Sequence, residues 1–169
     1  MEENLWILAA AVSSGFLRVS DLVAWADQQV LRLSSPPGWL LDLCLAKTQD
    51  EAVGTLNLEW NRHMETGGHG WPAPEIHDDL FMGFLYLRFE RGDLALAELL
   101  NLAGQHADAP GYRIDCETFY YMLNELDGGG PTIPSDEPLE RRVASLFAPM
   151  AALARQHLGK LPKPAIENH

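Results

Sequence analysis

Cysteine is scarce in this chain, with only Cys44 and Cys116 among 169 residues. Two thiols cannot staple a small scaffold, and both stand among apolar helical neighbours, so they are expected to be reduced core residues. Long apolar runs are missing too. The longest, Leu5 to Val12, is less than half of the roughly eighteen residues that a membrane helix requires. Glu2 and Glu3 occupy the place where a secretory leader carries positive charge, which makes the cytoplasm the expected location. Basic residues are also few. Twelve Lys and Arg face 24 Asp and Glu, a net charge of -12. That balance opposes non-specific attraction to polyanions, so neither nucleic acid nor a membrane surface is an expected partner.

The familiar catalytic signatures are lacking as well. The chain has no H-E-x-x-H for zinc, no G-x-S-x-G nucleophile turn, no G-x-x-x-x-G-K-[ST] phosphate loop and no C-x-x-C pair. The glycine clusters GGHG at 67–70 and GGGP at 128–131 have neither the lysine nor the strand-to-helix setting that phosphate binding needs, so they read as loops.

What the chain has is helical periodicity from end to end. The expected helices cover about residues 4–14, 21–33 capped by Ser20, and a third carrying Trp39, Leu40, Leu43 and Cys44. Ser34 and Ser35 before Pro36 and Pro37 suggest a cap with first-turn prolines for that third helix. Thr48 and Glu51 form a T-x-x-E capping box for a fourth, through Leu56 and Trp60. The segment GGHGWPAP from Gly67 to Pro74 cannot continue it. Beyond lies the most apolar stretch, from Ile76 to Phe89, with hydrophobic residues on too many sides for one face; it predicts a central helix stopping at Gly92. Three more are expected: one capped by Asp93 and running to His106, one from Asp115 to Asp127, and one after Ser135 that contains Pro149. The fold class is therefore all-α, a single-domain bundle or short stack of seven to eight helices over residues 1–158. A sub-boundary falls at the 67–74 loop, and a frayed tail at 159–169.

Two side-chain constellations carry chemistry. His63, His69 and His77 with Glu65, Glu75, Asp78 and Asp79 fall within seventeen residues, and imidazole plus carboxylate binds divalent transition ions. No two of the histidines share the i, i+4 spacing of a helical metal face, and Asp78 and Asp79 equally suit a helix N-terminus, where exposed amides favour negative charge. No metal and no cofactor is expected. In the second, residues 115–126 place Cys116, Phe119, Tyr120, Leu123 and Leu126 on one apolar stripe and Glu117, Tyr121, Asn124 and Glu125 on the opposite side. A tyrosine between carboxylates at i, i+4 and i+8 stacks on arginine while the acids pair with cations, chemistry that suits a basic protein partner. The same pattern also suits a solvated face. Trp71, in the loop, is the tryptophan expected to be exposed, and together with Glu75, Asp78 and Asp79 it marks a second candidate docking region.

Charge is segregated along the chain. Residues 1–74 carry -5, residues 75–140 carry -11 and residues 141–169 carry +4. Such a field steers a basic partner, although acidity also serves solubility alone.

The run SDLVAWADQQVLRLSSPPGWLLDLCLA, residues 20–46, resembles a segment of small acidic helical bacterial immunity proteins of polymorphic toxin systems. The resemblance implies a protein that binds and blocks a cognate toxin, often a basic nuclease, and it transfers no individual residue role. The functional expectation is thus a non-enzymatic protein-binding module, an immunity protein acting on a basic toxin. A helical adaptor or regulator is the alternative, and a metal-dependent enzyme using the 63–79 region stands third.

Overall fold

The computed structural model describes residues 4–66, 74–109 and 112–162, with only the backbone of Pro74 and Glu75. The described residues form eight α-helices and no strand, so the chain is all-α. They divide into two compact units, Met1–Ala73 with His157–His169, and Pro74–Gln156.

The first unit contains α1 (Leu5–Ser13), α2 (Val19–Arg32), α3 (Gly38–Cys44) and α4 (Gln49–Glu65), with a 3-10 turn at Leu158–Lys160. Helix α1, LWILAAAVS, is apolar on every side, and Leu5 through Val12 are all buried. A helix of that composition has no face to offer water. It packs on α4, while α3 packs on both α2 and α4. Gly15, at φ 71°, ends α1 in a backbone conformation that glycine adopts without a Cβ clash. The box at the start of α4 is present: Thr48 accepts from the Glu51 amide at 3.2 Å and Glu51 accepts from the Thr48 amide at 3.2 Å.

Several expected starts and stops are displaced. Helix α2 begins before Ser20, and its N-cap residue is Arg18, whose guanidinium forks onto the buried Asp21 at 2.8 and 3.1 Å. The charged pair organises that turn in place of a serine cap. Pro37 is itself the extended N-cap of α3 at ψ 152°, so the prolines lie before the helix rather than in its first turn. Pro37 also pushes Pro36, the residue preceding it, towards extended backbone, so the helix cannot start earlier. Of the tail expected at 159–169, Gly159 and Lys160 belong to the 3-10 turn, and residues 163–169 lie outside the described residues. Both cysteines are free and half-buried, not core. Burial raises the Cys44 thiol to about 11, with Asp27 adding to the rise; burial also raises Cys116, beside Asp108. Neither is a thiolate nucleophile at neutral pH.

The second unit contains α5 (Pro74–Glu90), α6 (Leu96–Ala107), α7 (Cys116–Asp127) and α8 (Leu139–His157, whose last residue falls in the first unit). Its centre is α5, where Leu80 and Met82 through Leu87 are all buried, as the all-round apolar pattern predicts. Helix α6 starts after Ala95, not at Asp93, because Asp93 pairs with Arg91 at 2.9 Å across the α5 stop. The buried stripe of α6 is Leu99, Leu100, Ala103, Gly104 and Ala107. Phe84, Phe119 and Phe147 are fully buried, each contributing about 1.5–3 kcal/mol of transfer free energy. Tyr86 stacks on Phe147 at 5.2 Å.

Gly83 allows α5 to approach α8. A Cβ added there would lie 2.2 Å from the Met150 carbonyl oxygen and 2.9 Å from the Ala154 Cβ, whereas one added at Gly54 in α4 would meet nothing within 4 Å. Gly83→Ala should therefore destabilise the protein by about 1–3 kcal/mol through overpacking against backbone. Gly54→Ala should stabilise it by about 0.5–1 kcal/mol through helix propensity. Urea unfolding of the two variants checks both signs.

Candidate partner-binding face

Helix α7 is fixed at both ends by its own sequence. Asp115 caps it, accepting the Glu117 amide at 3.0 Å, and Gly128 terminates it at φ 70°. Phe119 and Met122 are its buried residues, with Tyr120 and Leu123 half-buried. Leu126, expected on the apolar stripe, is 41% exposed, and Met122 takes the inward position instead. The stripe rotates because α6 approaches closely at Gly104, where an added Cβ would come within 2.9 Å of the Tyr120 ring.

The outward residues divide into two groups. Glu117 is exposed, and the half-exposed Tyr121 donates its hydroxyl to Glu117 Oε2 at 3.1 Å. That hydrogen bond and the nearby negative charge raise the phenol pKa, so Tyr121 remains protonated and keeps donating. The other two are engaged within the fold. Glu125 accepts from Arg142 Nη1 at 2.9 Å, and the arginine side chain is only 12% exposed. Asn124 donates to the Pro131 carbonyl at 2.9 Å and packs beside Gly130, pinning the glycine loop that follows α7. The tyrosine therefore bridges to one carboxylate rather than standing between two. Sequence spacing alone could not show this, since Arg142 and Pro131 lie on other elements.

The second region resolves differently from its expectation. Trp71 and His69 lie outside the described residues, as does the side chain of Glu75. Asp78 and Asp79 sit beyond the first turn of α5, so their charge is balanced by side chains rather than by helix-end amides. His106 from α6 approaches Asp78 Oδ1 with Nε2 at 3.2 Å, and His77 Nδ1 lies 3.8 Å from the same oxygen. Arg113 donates to both oxygens of Asp79, each at 2.9 Å. Phe81 stacks on the His106 ring at 4.0 Å, and Tyr112 meets that ring edge-on at 5.7 Å. Burial raises the Tyr112 pKa, reinforced by Asp79. His106, Tyr112 and Arg113 carried no signal in the sequence, because their partners are 28 to 38 positions distant.

Among the described residues, no group of three or more His, Cys, Asp or Glu side chains could hold a metal ion. No helix is long and apolar enough to cross a membrane among them.

Burial is the largest influence on His77 and His106 and lowers both pKa values, although Asp78 pulls each upward. In the unfolded chain a histidine titrates near about 6.5. Below that pH the unfolded chain binds more protons than the folded one, so stability should fall as pH drops through about 6.5. The decline ends on this account once the folded histidines are also protonated. Urea unfolding from about pH 7.5 to 5 should show it, and the His77→Gln/His106→Gln double variant should remove most of the slope. His157, also lowered by burial, accounts for a residual part. An unchanged slope in the double variant would assign the effect elsewhere.

Comparison of the chain with protein-family models, with curated proteins and with solved structures gave no match.

Proposed function

We propose that the protein is a non-enzymatic binding module that docks a basic protein partner on the outward face of α7, and that this partner is a toxin it neutralises. The observation that carries the reading is the Tyr121–Glu117 pair. Its hydrogen bond holds an aromatic ring beside a carboxylate on an exposed helix face, within a segment that carries -11 over residues 75–140. An arginine side chain fits that arrangement twice, stacking on the ring and pairing with the acid. The resemblance of residues 20–46 to immunity proteins supplies the toxin part of the proposal, and the charge supports the basic character of the partner. A nuclease domain has that charge, and covering its active site or an adjoining surface would suffice to block it.

Expression beside the product of an adjacent toxin-like reading frame tests the biological half: the chain should protect cells from that product and co-purify with it. The physical half is tested on the isolated complex. Raising salt from about 0.05 to 0.5 M shortens the Debye length from about 14 to 4 Å, so association should slow steeply while dissociation changes much less. Glu117→Lys should slow association, and Tyr121→Ala should mainly speed dissociation. Glu117→Lys should leave folding stability within about 0.5 kcal/mol. Glu125→Lys should instead destabilise the fold by about 1–3 kcal/mol, because it strands the largely buried Arg142. Unaltered affinity and salt response in the Glu117→Lys protein would show that the face is only solvated surface.

A further inference from the structure

Exposed large apolar side chains are unevenly placed. Six of the nine among the described residues, Leu31, Leu33, Leu41, Leu45, Leu58 and Met64, lie between positions 31 and 64 in the first unit. Isolated exposed leucines are ordinary, but a concentration of them on adjoining helices is not. Leu45 and Leu58 are the two beside a groove. They are 75% and 72% exposed, and they flank the seam where α3 packs on α4.

That seam holds two adjoining hollows of about 300 and 200 Å3, which share Asp42 and Thr55. The α4 wall is one helical stripe, Glu51, Thr55, Leu58, Glu59 and Arg62, at i, i+4, i+7, i+8 and i+11. Its span is eleven steps of about 1.5 Å, roughly 16 Å, which is three turns of helix. Gly38 and Ala46 keep the α3 wall low, and a Cβ added at Gly38 would touch nothing within 4 Å. Asp42, Glu51 and Glu59 set three carboxylates along the rim. Glu59 faces Arg62 at 3.8 Å, and Glu51, which takes the Lys47 and Thr48 amides, feels the Lys47 charge, so Asp42 is the carboxylate most open to an incoming cation. Trp39, on the α3 side, is 6% exposed, and its indole Nε1 is buried with no acceptor among the described residues.

We propose that the α3–α4 seam is a second docking site, which receives a short basic amphipathic helix from a partner protein. The hollows are too small for a helix but suit its leucine-sized side chains, with the incoming axis lying along the rim. Lysines or arginines flanking those anchors then meet Asp42, Glu51 and Glu59. This is helix-in-groove recognition, with anchors on one stripe and charges on its borders. It lies on a different unit from the Tyr121–Glu117 face and does not depend on that face being functional.

The probe is a synthetic leucine–lysine peptide of helical repeat, about fourteen residues and roughly 21 Å long as a helix. A peptide with glutamate in place of every lysine is the control. Both are titrated into the full-length protein, labelled with nitrogen-15. The lysine peptide should bind, shift amide resonances of α3 and α4, and move the Trp39 indole resonance, assigned by its loss in Trp39→Phe. The glutamate peptide should not bind. Leu45→Ser/Leu58→Ser and, separately, Asp42→Lys should each weaken binding by about tenfold or more, as anchor and charge losses do. Glu117→Lys should leave peptide binding unchanged. All three positions changed in the seam are exposed, so resonance dispersion should remain that of a folded protein and confirm that the loss is local. Absence of binding, shifts centred on α7, or equal affinity in the seam variants would overturn the proposal. Loss of peptide binding in Glu117→Lys would likewise place the peptide on α7 and overturn the seam proposal, whereas the α7 reading is tested separately on the partner complex.

Discussion

The Met150 carbonyl oxygen occupies the space that a side chain at position 83 would need, and much of the second unit follows from that contact. Helix α5 is apolar on all sides and must be enclosed, yet its residues are mostly large. A glycine in mid-helix gives up about 0.5–1 kcal/mol of helix propensity, which the closer approach of α8 offsets through packing. Once the backbones meet there, Tyr86 reaches the Phe147 ring, and Phe147 in turn meets Phe119 of α7 at 5.8 Å. Arg155 is brought to Glu90 at 2.6 Å by the same approach. The helix that carries the candidate face is thus anchored through a chain of aromatic contacts that begins at a residue with no side chain.

Electrostatics in this unit is more internal than the net charge implies. Asp79, Glu90 and Glu125 are each paired with an arginine, and two of those arginines, Arg142 and Arg155, come from the basic C-terminal segment. Segregation of charge along the sequence therefore describes partly how the fold is joined and only partly what it shows to solvent. Partly exposed pairs of this kind contribute modestly, but removing one member from a half-buried pair costs more than the pair supplies, because the remaining charge keeps its desolvation. The acids able to act on a partner are those on exposed surface, and Glu117 stands out among them because Tyr121 holds its carboxylate in place.

Helices were legible because their periodicity and stops are local. Thr48 with Glu51, Asp115, Gly92 and Gly128 act within one turn of the chain, and each does what its residue type suggests. Ser20, the Pro36–Pro37 pair and Asp93 misled for the converse reason. A neighbouring charge or proline offers the backbone a different arrangement at each of them, which the preference of a single residue does not contain. The site was less legible than the fold. The Glu117–Tyr121 hydrogen bond is an i, i+4 relation and could be read from spacing, whereas the Asp78–His106, Asp79–Arg113 and Glu125–Arg142 contacts join residues 17 to 34 positions apart. No local pattern encodes them, since they depend on which helices become neighbours.

A face reduced to one aromatic residue and one carboxylate is still adequate for recognition. Interfaces draw most of their energy from a few central residues, and tyrosine and arginine are enriched among these. What the surrounding acidity would supply under the proposed reading is different: a faster encounter with a basic partner, without any fixed contact. Pinning Asn124 to Pro131 and Glu125 to Arg142 removes two potential contacts, but it also makes the helix and the loop after it rigid. A rigid surface loses less conformational entropy when it is covered. If α7 docks a partner as proposed, the internal bonds that hold Asn124 and Glu125 would therefore favour binding at Glu117 and Tyr121.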